Sequence, residues 1–468
     1  MSGGLFELVA RGKKDVFFTA NPVMSYFHSV FVKAAAFTKE IYITAPRNAP
    51  EWGHWVDFDL DHRGDIARAF YLHFQLPTWL PPSAVIANAS GIVTDASGVT
   101  FGYCNNIGFQ IINKIQVFQD QVIVHELYGE YLDWKLRQSY EFSTTLLTSK
   151  EIGSRPETTL AIGRAASLPL LRVPIPLIGW QHLFDPGFPM IAMRKQRFRI
   201  RVHLRELREL IVASDGRLKP APWGGKPLMI QRTQGGSIDT TEVTLPYAAM
   251  KQIVMQLEST QLYVPPDVQT WLKSRVIRFP YIHTQFQQFT LEDNTMAAAS
   301  ISPALQVPLA VDMIGAMSRL TVGVRSEAAG QAGQRSKLTT TEDGAYVQTL
   351  RLNIANIDRV KAWPVAFFRE GSSYWKNVRM PLDLYTQAYD NGKPFEIYSM
   401  TFGGFDDGAP SGTLNFTRAI EPTLFAILAN TPMDTRNYSR RAYVLVYGES
   451  WNVWEISGGV GKMMFDDS

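Results

Sequence analysis

The stretch RFRIRVHLRE (residues 197–206) alternates apolar and basic side chains with almost no interruption. Its apolar residues share one parity and its basic residues share the other: Phe198, Ile200, Val202 and Leu204 against Arg197, Arg199, Arg201, His203 and Arg205. Successive side chains of a β-strand point to opposite faces, so this pattern predicts a strand with one buried face and one basic face. The stretch therefore favours a sheet protein in which this strand borders a hydrophobic core.

The basic face of this strand has two interpretations. Clustered cations bind nucleic acids by releasing counterions from the phosphates, so the face could contact DNA or RNA. However, no aromatic residue shares the parity of the cations, and 46 Lys and Arg against 43 Asp and Glu leave a net charge of only +3. Proteins dedicated to wrapping DNA are far more basic. We therefore expect a solvated or salt-bridged strand face, without sequence-specific nucleic acid binding.

The same period-two alternation recurs along the chain, in apolar stretches that end at Pro, Gly or Asn. The clearest of these stretches are 68–77, 114–129, 251–266, 319–325 and 441–456. Helical spacing is confined to two short segments, 129–142 and 266–276. Many short strands without alternating helices indicate sandwiches or barrels, so we predict an all-β protein with a few short helices in loops.

The length of 468 residues suggests about two domains. The segment ASDGRLKPAPWGGKP (213–227) replaces alternation with turn-forming residues, so we predict a linker at residues 214–227. It separates halves of similar length, 1–213 and 228–468. A second segment, 325–346, has few large apolar residues and is predicted to be a long exposed loop of the second half.

Two motifs that could indicate a phosphate or metal site are incomplete. SGGVGKMMF (457–465) has Met463 where a phosphate-binding loop needs Ser or Thr. His125-Glu126 has no second histidine four residues later, as a zinc protease motif requires. One cluster, HWVDFDLDH (54–62), carries several potential ligands: Asp57, Asp59 and Asp61 on one strand face, with His54 and His62 nearby. Oxygen ligands for cations normally come from folded loops, so we favour a solvated strand face and predict no metal or cofactor.

Nucleophilic catalysis is equally poorly supported. Cys104 is the only cysteine, which excludes an intrachain disulfide and is typical of folding in a reducing compartment. A small buried residue is the better interpretation of Cys104 than a nucleophile. Ser411 lies beside Gly412 but lacks the rest of a G-x-S-x-G motif. We therefore predict no catalytic residues.

No signal for secretion or membrane insertion is expected. The most apolar segment, SLPLLRVPIPLIGW (167–180), is interrupted by prolines and by Arg172, so it does not predict a membrane span. Three sequons occur, at Asn88, Asn415 and Asn437. Chance matches explain them equally well, and their glycosylation stays an open question.

Taken in order, several segments resemble the major capsid proteins of the nucleocytoplasmic large DNA viruses, the group of chlorella viruses, iridoviruses and marseilleviruses. In the first half the similar segments are GGLFELVARGKKDVFFTANPVMSYFHSVF (3–31), DHRGDIARAFYLHFQLP (61–77), NKIQVFQDQVIVHELYGEYLDW (113–134) and the proline-rich approach to RFRIRVHLREL. In the second half APSGTLNFTRAI (409–420) is similar to the family's Pro-Ser-Gly-Thr-x-Asn-Phe-Ser-Arg motif, and RAYVLVYGESWNVWEISGGVGKMMF (441–465) resembles its closing strand. The resemblance covers nearly the whole chain.

The resemblance implies a structural protein and not an enzyme. It implies two consecutive eight-stranded antiparallel jelly rolls, with an arm at residues 1–24, a first roll at 25–213 and a second roll at 228–468. It further implies a homotrimer that forms pseudo-hexagonal capsomers of an icosahedral shell. The expected location is the virion, after assembly in the host cytoplasm.

The partners implied by the resemblance are further copies of the chain, minor capsid and penton proteins, and viral proteins associated with an inner membrane. Two alternatives are kept. One is a minor capsid paralogue of the same family, and the other is a carbohydrate-binding double sandwich, because sandwich folds support many functions.

Overall fold

The structure is a computed structural model that describes most of both halves of the chain. The described residues are 36–77, 89–95, 101–139, 151–154, 170–179, 181, 187–213, 228–234, 237–243, 253–292, 306–327, 335, 338, 347–365, 367–368, 397–402, 412–428 and 441–465. The predicted arm, residues 1–24, lies outside them. Among the described residues no helix combines the length and the apolarity needed to cross a membrane.

The strands from β1 to β13 all pair with antiparallel neighbours. They are β1 (Thr38–Thr44), β2 (Trp55–Leu60), β3 (Ile66–Gln75), β4 (Ala89–Asp95), β5 (Phe101–Tyr103), β6 (Ile112–Gln119), β7 (Val122–Tyr128), β8 (Leu171–Ile175), β9 (Phe198–Leu204), β10 (Ile211–Ala213), β11 (Leu228–Gln234), β12 (Ser237–Val243) and β13 (Val254–Tyr263). The helices are α1 (Ile107–Gln110), α2 (Gly129–Ser139) and α3 (Pro266–Ser274), with 3₁₀ turns at Met190–Met193 and Leu207–Glu209. The two helices predicted from spacing, α2 and α3, are confirmed.

The remaining strands lie after α3. They are β14 (Ile277–Leu291), β15 (Gln306–Ala310), β16 (Ala316–Ser326), β17 (Val347–Ile354), β18 (Ile357–Pro364), β19 (Ile397–Thr401), β20 (Leu414–Asn415), β21 (Thr423–Leu428), β22 (Ala442–Ser457) and β23 (Val460–Met463). β17 and β18 form a hairpin whose two turn residues, Ala355 and Asn356, both have positive φ, at 53° and 62°. This is the turn geometry that matches the twist of paired strands.

Four of the sheets have four main strands each. Sheet 1 has the order β1-β13-β3-β8, and sheet 2 has the order β2-β9-β6-β7. Sheet 3 has the order β14-β22-β16-β19, with β20 and β23 attached, and sheet 4 has the order β15-β21-β17-β18. Sheets 1 and 2 form the first roll, and sheets 3 and 4 form the second.

The two rolls have the same topology. If the eight main strands of each roll are counted in chain order, one sheet reads 1-8-3-6 and the other reads 2-7-4-5 in both rolls. This pattern is that of a jelly roll, in which two Greek keys form a double sheet. The predicted fold, two eight-stranded antiparallel jelly rolls in succession, is confirmed.

The division between the rolls differs from the linker predicted at 214–227. That segment lies outside the described residues, but β11 after it pairs with β4, and β13 is hydrogen-bonded between β1 and β3. The eighth strand of the first roll is therefore β13, which the sequence had assigned to the second domain. We infer that the first roll extends to β13 and that the rolls divide at residues 264–276, around α3.

The opening stretch forms β9, at the centre of sheet 2 between β2 and β6. Phe198, Ile200, Val202 and Leu204 are all buried, as their parity predicts. Burying an apolar side chain of this size contributes about 1.5–3 kcal/mol relative to leaving it exposed. This face therefore anchors the core of the first roll.

The segment predicted as an exposed loop, 325–346, is not exposed at its described positions. Arg325 and Leu338 are buried, and Arg335 is partly buried. The prediction rested on the scarcity of large apolar residues, but arginines can be buried when carboxylates pair with them. The carboxylates that do so here belong to the first roll.

Candidate assembly interface

The potential metal ligands of the segment 54–62 have other partners in the structure. Asp59 lies 3.8 Å from the Arg47 guanidinium, and Asp61 lies 3.2 Å from that of Arg63, both on the exposed surface. Within the described residues no group of three or more His, Cys, Asp or Glu side chains could hold a metal ion. The aspartates of this segment therefore act as partners for arginines.

The two histidines of the segment contact backbone oxygens. His54 Nδ1 lies 3.0 Å from the Trp52 carbonyl oxygen, and His62 Nε2 lies 3.2 Å from that of Gln196. These contacts tie the ends of β2 to neighbouring turns.

The third aspartate explains the basic stripe of β9. Arg201 donates two hydrogen bonds to Asp57 on β2, at 2.8 and 3.0 Å, and Arg199 lies 3.6 Å from the same carboxylate. The Arg201 guanidinium also lies over the Trp55 ring, 4.1 Å from its centroid, and that of Arg199 lies 4.8 Å from the Phe118 ring centroid. Both cations are thus engaged within sheet 2, so the salt-bridged interpretation of the stripe is the one that the geometry supports.

The other residues singled out by sequence have structural positions. Cys104 is buried in the core, and its backbone N–H donates to the Leu210 carbonyl at 2.7 Å. Asn415 is exposed on β20 and accepts a hydrogen bond from the Arg418 backbone N–H. Three of the residues fall outside the described part of the chain: Asn88, Ser411 and Asn437.

The helix α2 is held firmly to the first roll. It begins at Gly129, where an added Cβ would lie 2.2 Å from the Phe109 carbonyl oxygen, so only glycine fits this close approach. Farther along α2, the Asp133 carboxylate accepts hydrogen bonds from Asn106 at 2.7 Å and Gln110 at 3.0 Å. These anchors fix the direction in which the rest of α2 points.

The outer side of α2 packs on the second roll through aromatic rings. Its target is the outward face of sheet 3, meaning the face turned away from that roll's own core. The Trp134 ring meets Tyr447 edge-on at 5.0 Å, and Tyr447 stacks on Phe286 at 4.7 Å. Trp134 also lies against Gly323 of β16, where an added Cβ would come within 2.3 Å of the indole. The two rolls are therefore in direct, close-packed contact.

A buried ion cluster lies beside these rings. Glu130 of α2 pairs with Arg325 of β16, and the Arg205 guanidinium lies 3.7 Å from the same carboxylate. Arg335 pairs with Glu209 at 2.6 Å. Burial alone would raise the pKa of Glu130, but Arg325, Arg205 and Arg335 together hold that pKa below its ordinary value. Glu130 is therefore an ionised carboxylate shared by arginines of both rolls.

A second buried carboxylate, Glu449, also lies in this contact. Glu449 on the outward face of β22 lies 3.5 Å from the Arg319 guanidinium and accepts a hydrogen bond from the Tyr131 hydroxyl of α2. All three side chains are buried. The contact between the rolls therefore combines aromatic packing with two charge-assisted sites, which define one relative orientation.

The edge of the contact is formed by β7 and β14. His125 of β7 is buried, and its Nε2 lies 3.1 Å from the Ile282 carbonyl oxygen, which also accepts from Gln181 at 2.7 Å. Burial and then the charge of nearby His283 lower the pKa of His125 to about 3. The neighbouring Glu126 accepts from Gln116 within sheet 2. The His125-Glu126 pair thus has a structural position between the rolls.

The C-terminal hairpin β22–β23 forms a third contact. Gly461 exchanges two hydrogen bonds with the Gln196 side chain, at 2.7 and 3.1 Å. Trp454 packs 5.9 Å from Phe188 and 6.4 Å from Phe198, ring centroid to ring centroid. The segment that partly matched a phosphate-binding loop is therefore a strand that fastens the second roll to the first.

Two of the apolar surfaces that are exposed among the described residues bear on assembly. One lies on the outward face of sheet 1, where Ile41 and Ile43 of β1 are 63% and 55% exposed and Val254 of β13 is 53% exposed. The other lies at the end of β18, where Trp363 and Phe367 are 45% and 43% exposed and stack at 4.9 Å. Exposed apolar patches on strand faces mark contact sites for other molecules.

The sequence did not reveal the residues that join the rolls. Glu130 and Arg325 are 195 residues apart, so no local pattern connects them. The available signal was the helix 129–142 itself, in which Tyr131 and Trp134 lie three residues apart and so share a face. A short helix with two large aromatic residues on one face predicts a packing partner, but it does not identify which.

No family model matches the chain. At the sequence level it is 20% identical to the "Major capsid protein" of Phaeocystis pouchetii virus and 21% identical to that of Paramecium bursaria Chlorella virus 1, over 100% and 99% of this chain and the full length of each relative. It is also 26% identical to "Probable capsid protein 4" of Acanthamoeba polyphaga mimivirus over 28% of this chain. That match and one to the mimivirus "Capsid protein 1" span only 25% and 36% of those proteins. None of these names describes an enzyme.

Solved structures support the fold independently. The chlorella virus capsid protein VP54, fitted into a reconstruction of the virophage Sputnik, superposes with a TM-score of 0.67 over 94% of this chain and 100% of that chain, at 12% identity. The Faustovirus major capsid protein superposes with a TM-score of 0.59 over 96% and 94%, at 14% identity. Sequence and fold together therefore confirm the resemblance: the chain is a double jelly-roll homologue of the major capsid proteins of large DNA viruses.

Proposed function

We propose that the chain is the structural major capsid protein of a large eukaryotic DNA virus and that three copies form its capsomer. The observation that carries this proposal is the pair of jelly rolls with one strand order, locked together by a buried contact. The full-length similarity to two proteins named major capsid protein supports it.

The geometry explains why three copies would suffice for a sixfold position. Each chain contributes two rolls with the same strand order, so three chains contribute six similar rolls to the capsomer. Head-to-tail contacts between chains generate a closed ring when the rotation closes. Such trimers would fill pseudo-hexagonal positions of an icosahedral shell and place the protein in the virion, after assembly in the host cytoplasm.

The proposed partners follow from this role. The chain would bind neighbouring copies, minor capsid and penton proteins, and viral proteins associated with an inner membrane, with residues 1–24 as an arm beneath the capsomer. The role needs no catalytic residue, metal or cofactor. It also needs no nucleic acid contact, which agrees with the pairing of Arg199, Arg201 and Arg205 inside the chain.

Size-exclusion chromatography with light scattering tests the proposal. The purified chain should elute at three times its monomer mass and keep that mass on dilution. A monomer whose elution responds to added sugars would instead support a carbohydrate-binding double sandwich and contradict the capsomer.

The remaining alternative is a minor capsid paralogue, which the partial matches to two separate mimivirus capsid proteins keep in view. The abundance of the chain in purified virus particles separates the two roles. A major capsid protein should dominate the stained gel of the particles, whereas a faint band would assign the minor role.

A further inference from the structure

The outward face of sheet 3 is covered by a segment of the first roll. That segment is α2, which follows directly on β7, the fifth strand of its roll. Tyr131 and Trp134 of α2 contact Glu449, Tyr447 and Gly323 on the covered face. Aromatic residues after the fifth strand of the first roll therefore cover the outward face of sheet 3, the 1-8-3-6 sheet of the second roll.

Sheet 1 presents the equivalent face, and none of the other described segments covers it. Ile43 on its first strand is paired with Glu258 on its eighth strand, so both side chains lie on the outward face. Glu258 is held there by Arg172, at 2.7 and 3.0 Å, and by His73 at 2.6 Å. This matches the outward carboxylate of sheet 3, Glu449, which also sits on an eighth strand beside an arginine.

The difference between the two faces is what lies around the carboxylate. In sheet 3 the surrounding Tyr447 and Leu445 are buried by the first roll. In sheet 1 the neighbouring Ile41 and Ile43, and Val254 farther along β13, are more than half exposed, and Arg172 is 34% exposed. The face around the carboxylate is therefore covered by the first roll in sheet 3 and exposed in sheet 1 among the described residues.

The complementary surface lies on the second roll in the corresponding place. Trp363 ends the fifth strand, β18, and Phe367 follows it, just as Tyr131 and Trp134 follow β7. Both rings are exposed, although stacked on each other, while the adjacent Phe368 is buried in the roll's own core. The pair is thus fixed in position by its own roll, and both rings are exposed in the part of the chain that the structure describes.

We propose that the outward face of sheet 1, formed by Ile41, Ile43 and Val254, binds the Trp363–Phe367 pair at the end of β18 of a second copy of this chain. The inference rests on the proposed trimer and names the surfaces through which it forms. The contact is heterologous, because one copy supplies the sheet and the other supplies the rings. It repeats between chains the contact that α2 makes within each chain, and head-to-tail contacts of this kind form a ring when the rotation closes, which the proposed trimer requires.

Two single variants test the surfaces one at a time. Ile43→Asp places a charge on the sheet, and Trp363→Asp removes the larger ring. Removing a central contact of this kind typically weakens an interface by roughly 30-fold or more. Each variant should therefore be a monomer at concentrations where the unaltered chain is a trimer, with an unchanged circular dichroism spectrum. The matched control is Ile420→Asp, at a residue that is 66% exposed and belongs to neither surface, and it should remain a trimer.

Mixing the two variants distinguishes a head-to-tail contact from a symmetric one. The Ile43→Asp chain keeps a good pair of rings, and the Trp363→Asp chain keeps a good sheet. Their mixture can form one intact contact and one broken contact, so it should yield a 1:1 dimer of the two variants that neither forms alone. A mixture that stays monomeric would overturn the head-to-tail assignment.

The remaining outcomes separate this inference from the proposed function. A monomeric unaltered chain would contradict the trimer itself. A trimeric unaltered chain whose two variants also remain trimers would retain the proposed function and overturn the assignment of surfaces. If Ile43→Asp or Trp363→Asp fails to fold, Ile41→Asp and Phe367→Asp test the same two surfaces at neighbouring exposed positions, with the same expected outcomes.

Discussion

At the scale of single residues, the most unusual feature of this chain is that charged side chains are buried in the contact between the rolls. Buried ion pairs recover their desolvation cost only when geometry and hydrogen bonding are good. Here Glu130 of α2 binds Arg325 of the second roll, and Glu449 of the second roll pairs with Arg319 of its own sheet while it accepts a hydrogen bond from Tyr131 of α2. Such pairs contribute modestly to stability, but their loss leaves uncompensated charges, so they favour one orientation of the rolls over all others.

Replacing Glu130 with glutamine should destabilise the chain strongly. The change leaves Arg325 and Arg205 beside a neutral partner in a buried site, and losing one member of a buried pair costs about 3–5 kcal/mol. Chemical denaturation measures the change in the free energy of unfolding. The matched control is Asp59→Asn, which breaks an exposed pair with Arg47 and should change this free energy by about 1 kcal/mol or less. Equal losses in the two variants would contradict the role assigned to Glu130.

The lowered pKa of His125 predicts that acid decreases the stability of the folded chain. The pKa of this side chain is about 3 in the folded chain, against 6.5 for the ordinary side chain, because it is buried and lies near His283 and Lys135. Between these values the unfolded chain binds a proton at this ring and the folded chain does not. The free energy of unfolding should therefore fall as the pH drops below about 6.5, by up to about 1.4 kcal/mol per pH unit from this ring.

The variant His125→Gln isolates this effect. Glutamine keeps a donor for the Ile282 carbonyl but does not titrate, so the slope of stability against pH between 5 and 6.5 should flatten. Denaturation midpoints across that range measure the slope in both proteins, and the other histidines are common to both. An unchanged slope would mean that His125 does not carry the response.

At the scale of secondary structure, α2 is the helix of the first roll that packs on the second roll. Its first residue must be glycine, its inner side bonds to α1, and its outer side packs on β16 and β22. Close packing of this kind makes the contact sensitive to a single added carbon, since protein interiors have few voids.

The variant Gly323→Ala tests this packing. The new methyl group would lie within 2.3–2.9 Å of three carbons of the Trp134 ring, and overpacking of this kind costs about 1–3 kcal/mol. In a Trp134→Phe background the smaller ring leaves room, so the same change should cost less. A double-mutant cycle on denaturation free energies measures this coupling. Strictly additive effects would contradict the contact between α2 and β16.

The alternation of β9 was sufficient to predict its strand and its buried face, because both depend only on neighbouring residues. The partner of its basic face was not predictable, since Asp57 lies 144 positions away from Arg201. The prediction that the segment 325–346 is exposed was wrong for a related reason. Composition predicted exposure for Arg325 and Arg335, but the carboxylates that make their burial favourable come from the other roll.

At the scale of the whole molecule, the same limit applies to the division between the rolls. The turn-forming residues of 214–227 resemble a linker locally, yet β13 returns after them to complete sheet 1. Only the pairing of distant strands reveals this. The overall fold was nevertheless predictable, because the ordered resemblance to viral capsid proteins extends along both halves and does not depend on the boundary.

The identical strand order of the two rolls also explains the role of the exposed surfaces. Sheet 3 accepts the aromatic rings of α2, the segment after the fifth strand of the first roll. The proposed counterpart between chains consists of Ile41 and Ile43 of sheet 1 and the Trp363–Phe367 pair, which are exposed in the part of the chain that the structure describes. A molecule with one satisfied and one unsatisfied contact of the same kind is suited to closing a ring with further copies.

Electron microscopy of single particles of the purified chain tests this most directly. Three chains joined head to tail should appear as a closed ring of six similar lobes with pseudo-sixfold outline and true threefold symmetry. Two-lobed monomers, twofold-symmetric dimers or open chains of variable length, seen at concentrations well above those used for dilution tests, would contradict the closed trimer.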